Sequence, residues 1–593
     1  MPALLAAAGE FTPGMIQLWI IVAYLAALIV LGLASNSLFK GTAVDYFIAS
    51  RGVGPVLLVL SVFGTTMTAF AIQGSSGEAW ASGIGVYGKM ASWSGIVHAA
   101  CFFLIGVRLW GLGKRYGYQT QIQFFRDRLQ SSNIGVLLFP ILVLLQMPYI
   151  IIGIIGSGNM IQVATRGAFP SFFASTQGGV PFWLGTLLST GVVWLYVWLG
   201  GARATAWANA LQTLIFLVVG VVTFWAIADR LGGAKEATRM VQEYNPSKLT
   251  REVTPEHERI YQEKMAQWRA STQPTVNAQA SNALPDGRSS VEPDAKPTPT
   301  LRPHKPKRMT ELEFLSYGFI PLSVAMFPHL FQLWLTARSA KAFRLTVTLH
   351  PLLIMAIWAP CVAIGVWASS AMIGGKPVVP FTPEGPLVPG GPVPNPNTVL
   401  AFMVQMLSNP WVSGLLAAGV LAAILGGMDA QFLSLGSMFT HDIVDHYARK
   451  DSMTDRQRLV TGRVFVIAVV LVSWLLTLLL RETRPIFNLA VWCFSGFSAL
   501  FPLVCAALYW RRLTKWGAYA SVIAGVGSGV FFYVRIGLEQ GFASRIDPEV
   551  WGLVPAAPMV VFATVALVVV SLMTPAPAAA TVNKFFLKAA DAR

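Results

Sequence analysis

Long apolar stretches recur along nearly the whole of this 593-residue chain, and they constrain its fold more than any other feature. Each stretch holds about 18 or more residues, enough for a helix to cross a hydrocarbon core about 30 Å thick. Charged residues make up only 12% of the chain, against about 25% in soluble domains. The sequence therefore predicts an all-α polytopic protein embedded in the lipid bilayer.

We count about thirteen such stretches and number them span 1 to span 13 in chain order. Span 1 has no basic segment before it and is longer than the core of a signal peptide, so we expect it to remain as a helix. The approximate bounds of the spans are 15–34, 54–75, 84–112, 134–163, 181–200, 203–228, 312–336, 345–372, 400–439, 460–480, 484–510, 516–535 and 552–574.

Basic residues cluster in the short loops after spans 3, 7, 9 and 11, for example Arg338, Lys341 and Arg344 after span 7. Such loops face the cytoplasm. An odd number of spans places the termini on opposite sides, so we expect the N-terminus outside and the C-terminus in the cytoplasm of a bacterial inner (plasma) membrane. Topology thus explains the formal charge of +16, and no nucleic-acid partner is indicated.

The sequence shows no pattern typical of a metal site or an enzyme. The four cysteines lie in apolar segments without ligand spacing. His441 and Asp445, like Asp442 and His446, are four residues apart, a spacing that a metal ion can use, but they lie in a strongly basic cytoplasmic region where polar residues of any kind collect. No HExxH, GxSxG or phosphate-loop motif is present. We therefore expect neither an enzyme nor a cofactor beyond a coupling ion.

Two loops are longer than the rest. Residues 229–311 form a polar insert, and its second half, rich in Pro, Ser and Ala, cannot bury a core. That half is predicted to be disordered, and a tether is favoured over a binding module. The second loop is the Pro-rich segment GGKPVVPFTPEGPLVPGGPVPNPN, which could form an ordered outer cap.

Spans 2–6 and spans 7–11 form two sets of five. Because five is odd, the second set must run upside down relative to the first, as in an inverted repeat. The first span of each set is interrupted, by SVFGTTMTAFAIQGSSG at 61–77 and by SYGFIPLSVAMFPHL at 316–330. Broken helices in corresponding positions indicate a substrate site near the midplane, although Gly and Pro also occur in membrane helices for packing alone.

The predicted organisation has five parts, with one extra helix before the repeats and two after them. The parts are an N-terminal helix with the first cytoplasmic loop (1–53), a first five-helix repeat (54–228), a polar, partly disordered extracytoplasmic insert (229–311), a second five-helix repeat (312–510), and two C-terminal helices with a cytoplasmic tail (511–593).

Six short stretches match a known family pattern. They are DYFIASRGVGP at 45–55, LSVFGTTMTAFAIQGSSG at 60–77, YGYQTQIQFFRDR at 116–128, GGARATAWANALQ at 200–212, FPHLFQLWLTARSAKAFR at 327–344 and LAAILGGMDAQFLSLGSMFTHDI at 421–443. In this order they resemble the sodium:solute symporter family, from about residue 15 to 515 without the insert. The resemblance implies a LeuT-type transporter fold and transport of solutes such as proline, pantothenate, monocarboxylates, sugars or inorganic anions.

The resemblance also implies a sodium site between spans 2 and 9. Family members use backbone carbonyls that match Gly64, Met67 and Ala423, and two adjacent hydroxyls whose positions are Gly426 and Gly427 in this chain. Glycine has no side-chain oxygen. Of the five oxygen ligands of the family site, only the three neutral backbone carbonyls therefore remain in this chain. The two glycines have a second interpretation, because small residues let membrane helices pack closely.

Two further departures from the family concern coupling. Some members place an aspartate where Thr66 stands, and many place one at the position of Asn209. Asp429, within LAAILGGMDAQFLSLGS, remains as a charge that costs about 2.5–3.5 kcal/mol near the bilayer centre. Asp429 and Asn209 are therefore our candidates for residues that couple transport to an ion. We hypothesise that Asp429, or a water that it holds, replaces the lost sodium ligands. Transport would then be coupled to protons or uncoupled. The alternative is a structural carboxylate bonded to nearby backbone.

The breaks in spans 2 and 7 expose free N–H and C=O groups that attract the charged groups of a solute. Candidate solute ligands lie near these breaks and in span 4: Thr65, Thr66, Thr68, Gln73, Gln146, Tyr149, Ser323, Phe327 and His329. The Ser and Thr residues among them can instead bond their own backbone, and Phe327 can serve packing. No basic side chain lies in the apolar part of either broken span, which favours a small neutral or monoanionic solute.

These observations predict a secondary transporter that moves a small organic solute, such as a monocarboxylate, an amino acid or a vitamin-like acid, by alternating access. Sodium coupling is in doubt, and proton coupling or facilitated transport are the other cases. The alternative function is a solute sensor that transports weakly or not at all and acts with a separate partner, because the tail after residue 574 could not serve as an output domain. The expected partners are the solute and the lipid bilayer, and no protein partner is indicated.

Overall fold

A computed structural model describes residues 13–36, 41–272, 301–387, 393–406, 409–448, 452–480, 485–541 and 548–586. Ten helices in these residues are long and apolar enough to cross a membrane, and two bent helix pairs pass the same test. The ten are Gly14–Ser35 (span 1), Gly85–Tyr116 (span 3), Asn133–Ala164 (span 4), Phe182–Arg230 (spans 5 and 6), Ala340–Ala368 (span 8), Pro410–Ala448 (span 9), Asp455–Leu480 (span 10), Ile486–Tyr509 (span 11), Lys515–Gln540 (span 12) and Ala556–Met573 (span 13).

The expected count of thirteen spans depends on one long element. Phe182–Arg230 is assigned as a single helix of 49 residues, about 74 Å at 1.5 Å per residue, which is more than twice the bilayer core. Gly201 (φ 52°, ψ −141°) interrupts its helical backbone, and a Cβ there would lie 2.4 Å from the carbonyl oxygen of Tyr46. Length and composition alone give ten to twelve spans, and thirteen result when the two arms of this element are counted separately.

Span 2 consists of Pro55–Thr66 and Phe70–Ser82, which meet at 56°. After Thr66, Met67 leaves the helical region (φ −88°, ψ 88°), and the chain resumes through a π-helical turn, Phe70–Gly74. π-helical turns of this kind are frequent at functional sites. The predicted interruption at 61–77 therefore lies at Met67 and the two residues after it.

Span 7 consists of Glu311–Ala325 and Pro328–Thr336, which meet at 53°. Phe327 is extended (φ −63°, ψ 119°), and Pro328 begins the second half. Proline disfavours a helical conformation in the residue before it and is well suited to the first position of a helix. The break predicted from Pro328 is thus explained by its local chemistry.

Span 9 lies at the centre of the bundle. Every residue from Leu416 to Met438 is buried, and the span contacts spans 1, 2, 4, 6, 7 and 10. Asp429 and the glycines before it are therefore enclosed by protein and do not face lipid.

The described part of the insert is ordered. It forms helices Ala234–Tyr244 and Pro255–Thr272, a 3-10 turn, Pro246–Leu249, and an extended segment at 301–310. Residues 273–300, which hold most of the half predicted to be disordered, lie outside the described residues.

The extended segment 301–310 differs from the prediction of disorder, because it packs against the core. The His304 N–H donates to Asn245 Oδ1 (2.8 Å), and Asn245 Nδ2 donates to the carbonyl oxygen of Ser369 (3.0 Å). The ring of His304 meets the ring of Trp80 edge-on, with centroids 5.1 Å apart. Contacts with the ends of spans 2 and 8 order this segment, although its own composition could not.

The remaining elements lie in loops. Short helices are Ala43–Ile48, Gln121–Leu129, Val399–Gln405 and Ala579–Phe585. Part of the Pro-rich loop forms two antiparallel hairpins, Met372–Ile373 (β1) with Lys376–Pro377 (β2), and Phe381–Thr382 (β3) with Gly385–Pro386 (β4). This described part of the loop is ordered, as expected for an outer cap.

Candidate functional site

A cavity of about 30 Å³, or about 440 Å³ when the space at its open side is included, lies between the breaks of spans 2 and 7. Aromatic residues form much of its wall: Phe70, Tyr149, Tyr317, Phe327, Trp358 and Phe494. Among the described residues, no Asp, Glu, Lys or Arg side chain lines it. A narrow pocket walled by aromatic rings, with a few polar groups, is typical of a site for a small molecule.

Four of the nine predicted solute ligands line this cavity: Thr66, Tyr149, Ser323 and Phe327. They come from the two breaks and from span 4, so the structure brings together the three regions that the sequence indicated. Sequence reasoning did not find three other lining residues, Ser94 and His98 of span 3 and Trp358 of span 8. A histidine inside an apolar span was itself a signal of function.

The other five predicted solute ligands do not line the central cavity. Thr65 Oγ1 accepts from Asn209 Nδ2 (3.1 Å), and Gln73 Nε2 donates to the carbonyl oxygen of Gly156 (3.1 Å). The side chains of Gln146 and His329 are paired at 3.3 Å, and Thr68 lies against span 9, as described below. The ring of His329 stacks on Phe327, with centroids 5.1 Å apart. His329 therefore supports a cavity residue.

A second cavity of about 1710 Å³, including its open mouth, lies on the side of the molecule that carries the insert. We call it the outer vestibule. Tyr317 lines both cavities. Phe70 of the central cavity and Phe487 of the vestibule have ring centroids 5.6 Å apart. Side chains alone thus separate the central cavity from the vestibule.

A charged cluster joins three spans beside the vestibule. Lys89 Nζ of span 3 lies 2.8 Å from Glu313 Oε1 of span 7 and 3.7 Å from Glu78 Oε1 of span 2. The Lys89 side chain is only 4% exposed, so the pairing is shielded from solvent.

Span 9 approaches span 2 closely at the two family hydroxyl positions. A Cβ on Gly427 would lie 2.6 Å from Thr68 Cγ2 and 3.3 Å from the carbonyl oxygen of Thr65. A larger residue would require the Thr68 side chain to move, so the absence of a side chain at Gly427 lets spans 9 and 2 approach closely. Its packing role stays an interpretation beside that of a lost sodium ligand.

Gly426 has a different surrounding. A Cβ there would lie 3.0 Å from Asn209 Oδ1, 3.1 Å from Gln212 Oε1 and 3.3 Å from the carbonyl oxygen of Gly64. Three oxygens from spans 6 and 2 thus converge on the space that glycine leaves open. We call this space the Gly426 cradle.

Two of the three cradle oxygens have no hydrogen-bond partner. Asn209 Oδ1 and Gln212 Oε1 are buried and accept no hydrogen bond within the described residues. Asn209 Nδ2 donates to Asp429 Oδ1 (3.2 Å), and because a carboxylate only accepts, this contact sets the orientation of the amide. Leaving a buried acceptor unpaired costs about 1–3 kcal/mol. The Gly426 cradle therefore fits a bound cation, since Na⁺ sites in such folds use neutral carbonyl oxygens.

Gln212 was not found by sequence reasoning. It lies one turn after Asn209 on span 6, and a neutral glutamine in an apolar span carries no motif. The other two family positions, Met67 and Ala423, are buried, and the Met67 carbonyl oxygen is not among the three atoms nearest to a Cβ on Gly426. Asn209, which was expected to weaken a sodium site by replacing an aspartate, instead presents a free oxygen to the cradle.

Asp429 is fully buried and hydrogen-bonded at both oxygens. Tyr196 Oη donates to its Oδ2 (3.0 Å), Asn209 Nδ2 donates to its Oδ1 (3.2 Å), and the Ala430 N–H also donates to Oδ1 (2.5 Å). It has no ion-pair partner among the described side chains. The carboxylate therefore connects span 9 to the long element of spans 5 and 6, next to the Gly426 cradle and away from the central cavity.

The acidic residues at the end of span 9 pair with arginines. Arg126 Nη2 lies 2.8 Å from Asp442 Oδ1, and Arg458 Nη2 lies 2.7 Å from Asp445 Oδ2. No group of three or more His, Cys, Asp or Glu side chains in the described ranges could hold a metal ion. These aspartates thus tie span 9 to neighbouring segments.

Comparisons with known proteins cover nearly the whole chain. A family model described as the sodium:solute symporter family matches residues 46–525. The osmoregulated proline transporter OpuE of Bacillus subtilis (strain 168) is 22% identical over 550 residues, 91% of this chain and 92% of the relative. The sodium/proline symporter of Staphylococcus aureus (strain JH9) is 24% identical over 584 residues, 95% of this chain and 94% of the relative.

A solved structure supports the fold. The substrate-bound outward-open state of a Na⁺-coupled sialic acid symporter superposes with a TM-score of 0.64 at 17% identity, covering 95% of this chain and 99% of that chain. At this identity the likeness concerns the fold alone, and it agrees with the expected LeuT-type architecture.

Proposed function

Since this chain belongs to the sodium:solute symporter family, we propose that it is a sodium-coupled secondary transporter of a small, proline-like zwitterionic solute. Members of the family are membrane-embedded transporters and not enzymes, and sodium is their coupling ion. The solute and the coupling mode of this particular chain are the proposed part.

The observation that carries the proposal is the central cavity where the two broken helices meet. Its described lining has no formal charge, which suits a solute whose own charges cancel. Ring faces attract an ammonium group, and the hydroxyl and imidazole groups of the lining can donate hydrogen bonds to a carboxylate. A zwitterionic solute also agrees with the neutral or monoanionic solute expected from the sequence. Both relatives described above are proline transporters by name.

Sodium coupling is supported by the Gly426 cradle. A Na⁺ ion there would be held by Asn209 Oδ1, Gln212 Oε1 and the carbonyl oxygen of Gly64, with the Asp429 carboxylate nearby as a counter-charge. Gly64 precedes the break in span 2, and Thr66 at the same break lines the central cavity. Ion and solute would therefore both stabilise one arrangement of span 2, which is the thermodynamic requirement for coupling.

Uptake of labelled L-proline into proteoliposomes tests this function. We expect uptake that requires an inward sodium gradient and that disappears when choline replaces sodium. Full uptake without sodium, driven by a pH gradient, would overturn sodium coupling. It would favour the second candidate, proton coupling through Asp429, which is supported by the burial of this carboxylate without a cation partner.

Counterflow separates a carrier from the sensor alternative. A carrier exchanges internal unlabelled solute for external labelled solute, whereas a sensor binds the solute without exchange. We expect exchange, because the central cavity lies where two broken spans meet, the place at which transporters of this architecture bind their solute.

The orientation is part of the same proposal. The basic loops after spans 3, 7, 9 and 11 support an N-terminus outside and a cytoplasmic C-terminus. The outer vestibule lies on the face of the insert, which this orientation places outside. The division of the chain at residues 53, 228, 311 and 510 remains our proposed domain organisation.

A further inference from the structure

We propose that Ser94 and His98, on span 3, form the part of the central site that binds the carboxylate group of the solute. This inference rests on the proposed function and adds the recognition element for the anionic end of the solute. Both residues line the central cavity, and they are 5% and 8% exposed, respectively.

Neither side chain has a hydrogen-bond partner among the residues that the structure describes. Nδ1 of His98 is buried without a hydrogen bond, and no described residue bonds its Nε2 or the Ser94 hydroxyl. Buried polar groups are nearly always hydrogen-bonded in native structures. Two polar groups without hydrogen bonds beside the central cavity therefore indicate that their partner is a molecule that enters the cavity.

The two residues share one face of span 3. They are four positions apart, so their side chains are neighbours on the helix surface. Ile96 and Phe103 of the same span are 68% and 61% exposed, which places the lipid-facing side elsewhere on the helix. Span 3 thus presents an apolar face to lipid and a short polar face to the cavity.

A second histidine holds His98 close to the break of span 2. The ring centroids of His98 and His350 are 5.4 Å apart, and His350 Nε2 lies 3.0 Å from Thr66 Oγ1. The Thr66 hydroxyl donates to the carbonyl oxygen of Phe63 (2.9 Å), so Thr66 accepts and His350 Nε2–H donates. His350 therefore has a defined orientation, and the ring of His98 rests against it.

The chemistry of the pair suits a carboxylate. An imidazole N–H and a hydroxyl both donate hydrogen bonds, and a carboxylate only accepts them. The rings of Tyr149, Phe327 and Phe494 form a separate cluster with centroids within 5.5 Å of one another, and no ring contact joins His98 to it. The site thus has a donor-bearing wall for the carboxylate and an aromatic wall for the ammonium end.

Competition binding on the purified protein tests the assignment with a solute pair that differs at the carboxylate. L-Proline and L-prolinamide share the ring and the ammonium group, and only proline carries the carboxylate. We expect His98→Phe to weaken proline binding about tenfold or more, as for loss of a hydrogen bond to a charged group. Prolinamide binding should weaken less, because its neutral amide oxygen accepts a weaker hydrogen bond. Ser94→Ala should shift the same ratio in the same direction.

Two further variants serve as controls. His98→Gln retains an N–H donor and should recover part of the preference for proline, whereas Ile96→Ala, on the lipid side of the same span, should leave both affinities unchanged. Equal losses for both solutes, or no loss in His98→Phe, would overturn the assignment while the proposed function stands. A wild-type protein that binds neither proline nor betaine would overturn the proposed function together with it.

Discussion

At the scale of single residues, the Gly426 cradle depends on the absence of one methyl group. The three oxygens around it come from side chains and backbone that no local pattern relates to one another. Whether these oxygens bind sodium can be tested by measuring sodium binding to the purified protein, without measuring transport.

Gly426→Ala should abolish sodium binding with little effect on the fold. The added Cβ would lie 3.0–3.3 Å from the three cradle oxygens, close enough to fill the space of an ion but tolerable after shifts of a few tenths of an ångström. We expect the rise in melting temperature on replacing choline with sodium to disappear. Gly191→Ala is the matched control, because a Cβ at Gly191 meets nothing within 4 Å. A full sodium-induced shift in Gly426→Ala would contradict the cradle.

Gln212→Leu removes one cradle oxygen at nearly constant volume. We expect the apparent sodium affinity to fall about tenfold, since one of three ligands is lost, as measured by titrating sodium against intrinsic tryptophan fluorescence. Gln17→Leu is the control. Gln17 also has an unpartnered buried amide oxygen and one amide hydrogen bond, to Ser413 Oγ (3.3 Å), but it lies on span 1. Equal losses of apparent sodium affinity in the two variants would point to a general cost of losing a buried amide and would contradict a role of Gln212 in the cradle.

At the scale of elements, the ends of the insert are bound to spans 2 and 8, so a segment with no core of its own becomes part of the outer vestibule. Lys305, Lys307 and Arg308 of this segment line that cavity. The insert therefore affects the route by which a solute reaches the central site.

The segment 301–310 should loosen on acidification. Burial, together with nearby Lys248, holds the pKa of His304 well below its usual value of 6.5. The detached segment takes up a proton near pH 6.5 while the packed segment does not, so below this pH each further drop favours detachment. We expect the protection of amides 301–310 from hydrogen exchange, corrected for intrinsic rates, to fall between pH 7.5 and pH 5.5. His304→Gln should remove this pH dependence, and protection that is constant with pH in the wild type would contradict the account.

At the scale of the whole molecule, charged pairs connect spans from both predicted repeats at opposite ends of the bundle. Lys89 joins Glu78 and Glu313 beside the outer vestibule, and Arg126 pairs with Asp442 at the other end. Transport by alternating access requires that these two ends open in turn. The two sets of pairs are thus expected to bias the equilibrium in opposite directions.

Lys89→Met and Arg126→Gln should have opposite effects on accessibility. With the outer cluster broken, a cysteine at Tyr317 should react faster with a membrane-impermeant thiol reagent added to the vestibule side. With the Arg126–Asp442 pair broken, it should react more slowly from that side. Arg126→Gln leaves the buried Asp442 without its ion-pair partner, and Lys89→Met leaves two partly buried glutamates without theirs. Both changes are destabilising, so size-exclusion profiles must first match the wild type. A change of the same sign in both variants would contradict reciprocal control of the two ends.

Much of the architecture could be predicted because its causes are local. Apolar length specifies the spans, Pro328 specifies one break, and the motifs specify the family. The site was predictable only in part: Thr66, Tyr149, Ser323 and Phe327 line the cavity, but His329 supports it from behind. Which face of a helix a residue occupies depends on the neighbouring spans, and a span that is apolar on most sides shows no periodicity to reveal it.

The sequence by itself determined that this chain is a helical membrane protein of the symporter family with two broken spans, because hydropathy and helix breaking act over a few residues. Only the tertiary structure decided that Asn209 and Gln212 point free oxygens at Gly426, and that Ser94 and His98 face the central cavity. Asn209 and Gln212 are far from Gly426 in the chain, and Ser94 and His98 are far from the span 7 residues that line the cavity. Their meeting is decided by how the spans pack, where van der Waals fit at glycines such as Gly427 sets which surfaces approach.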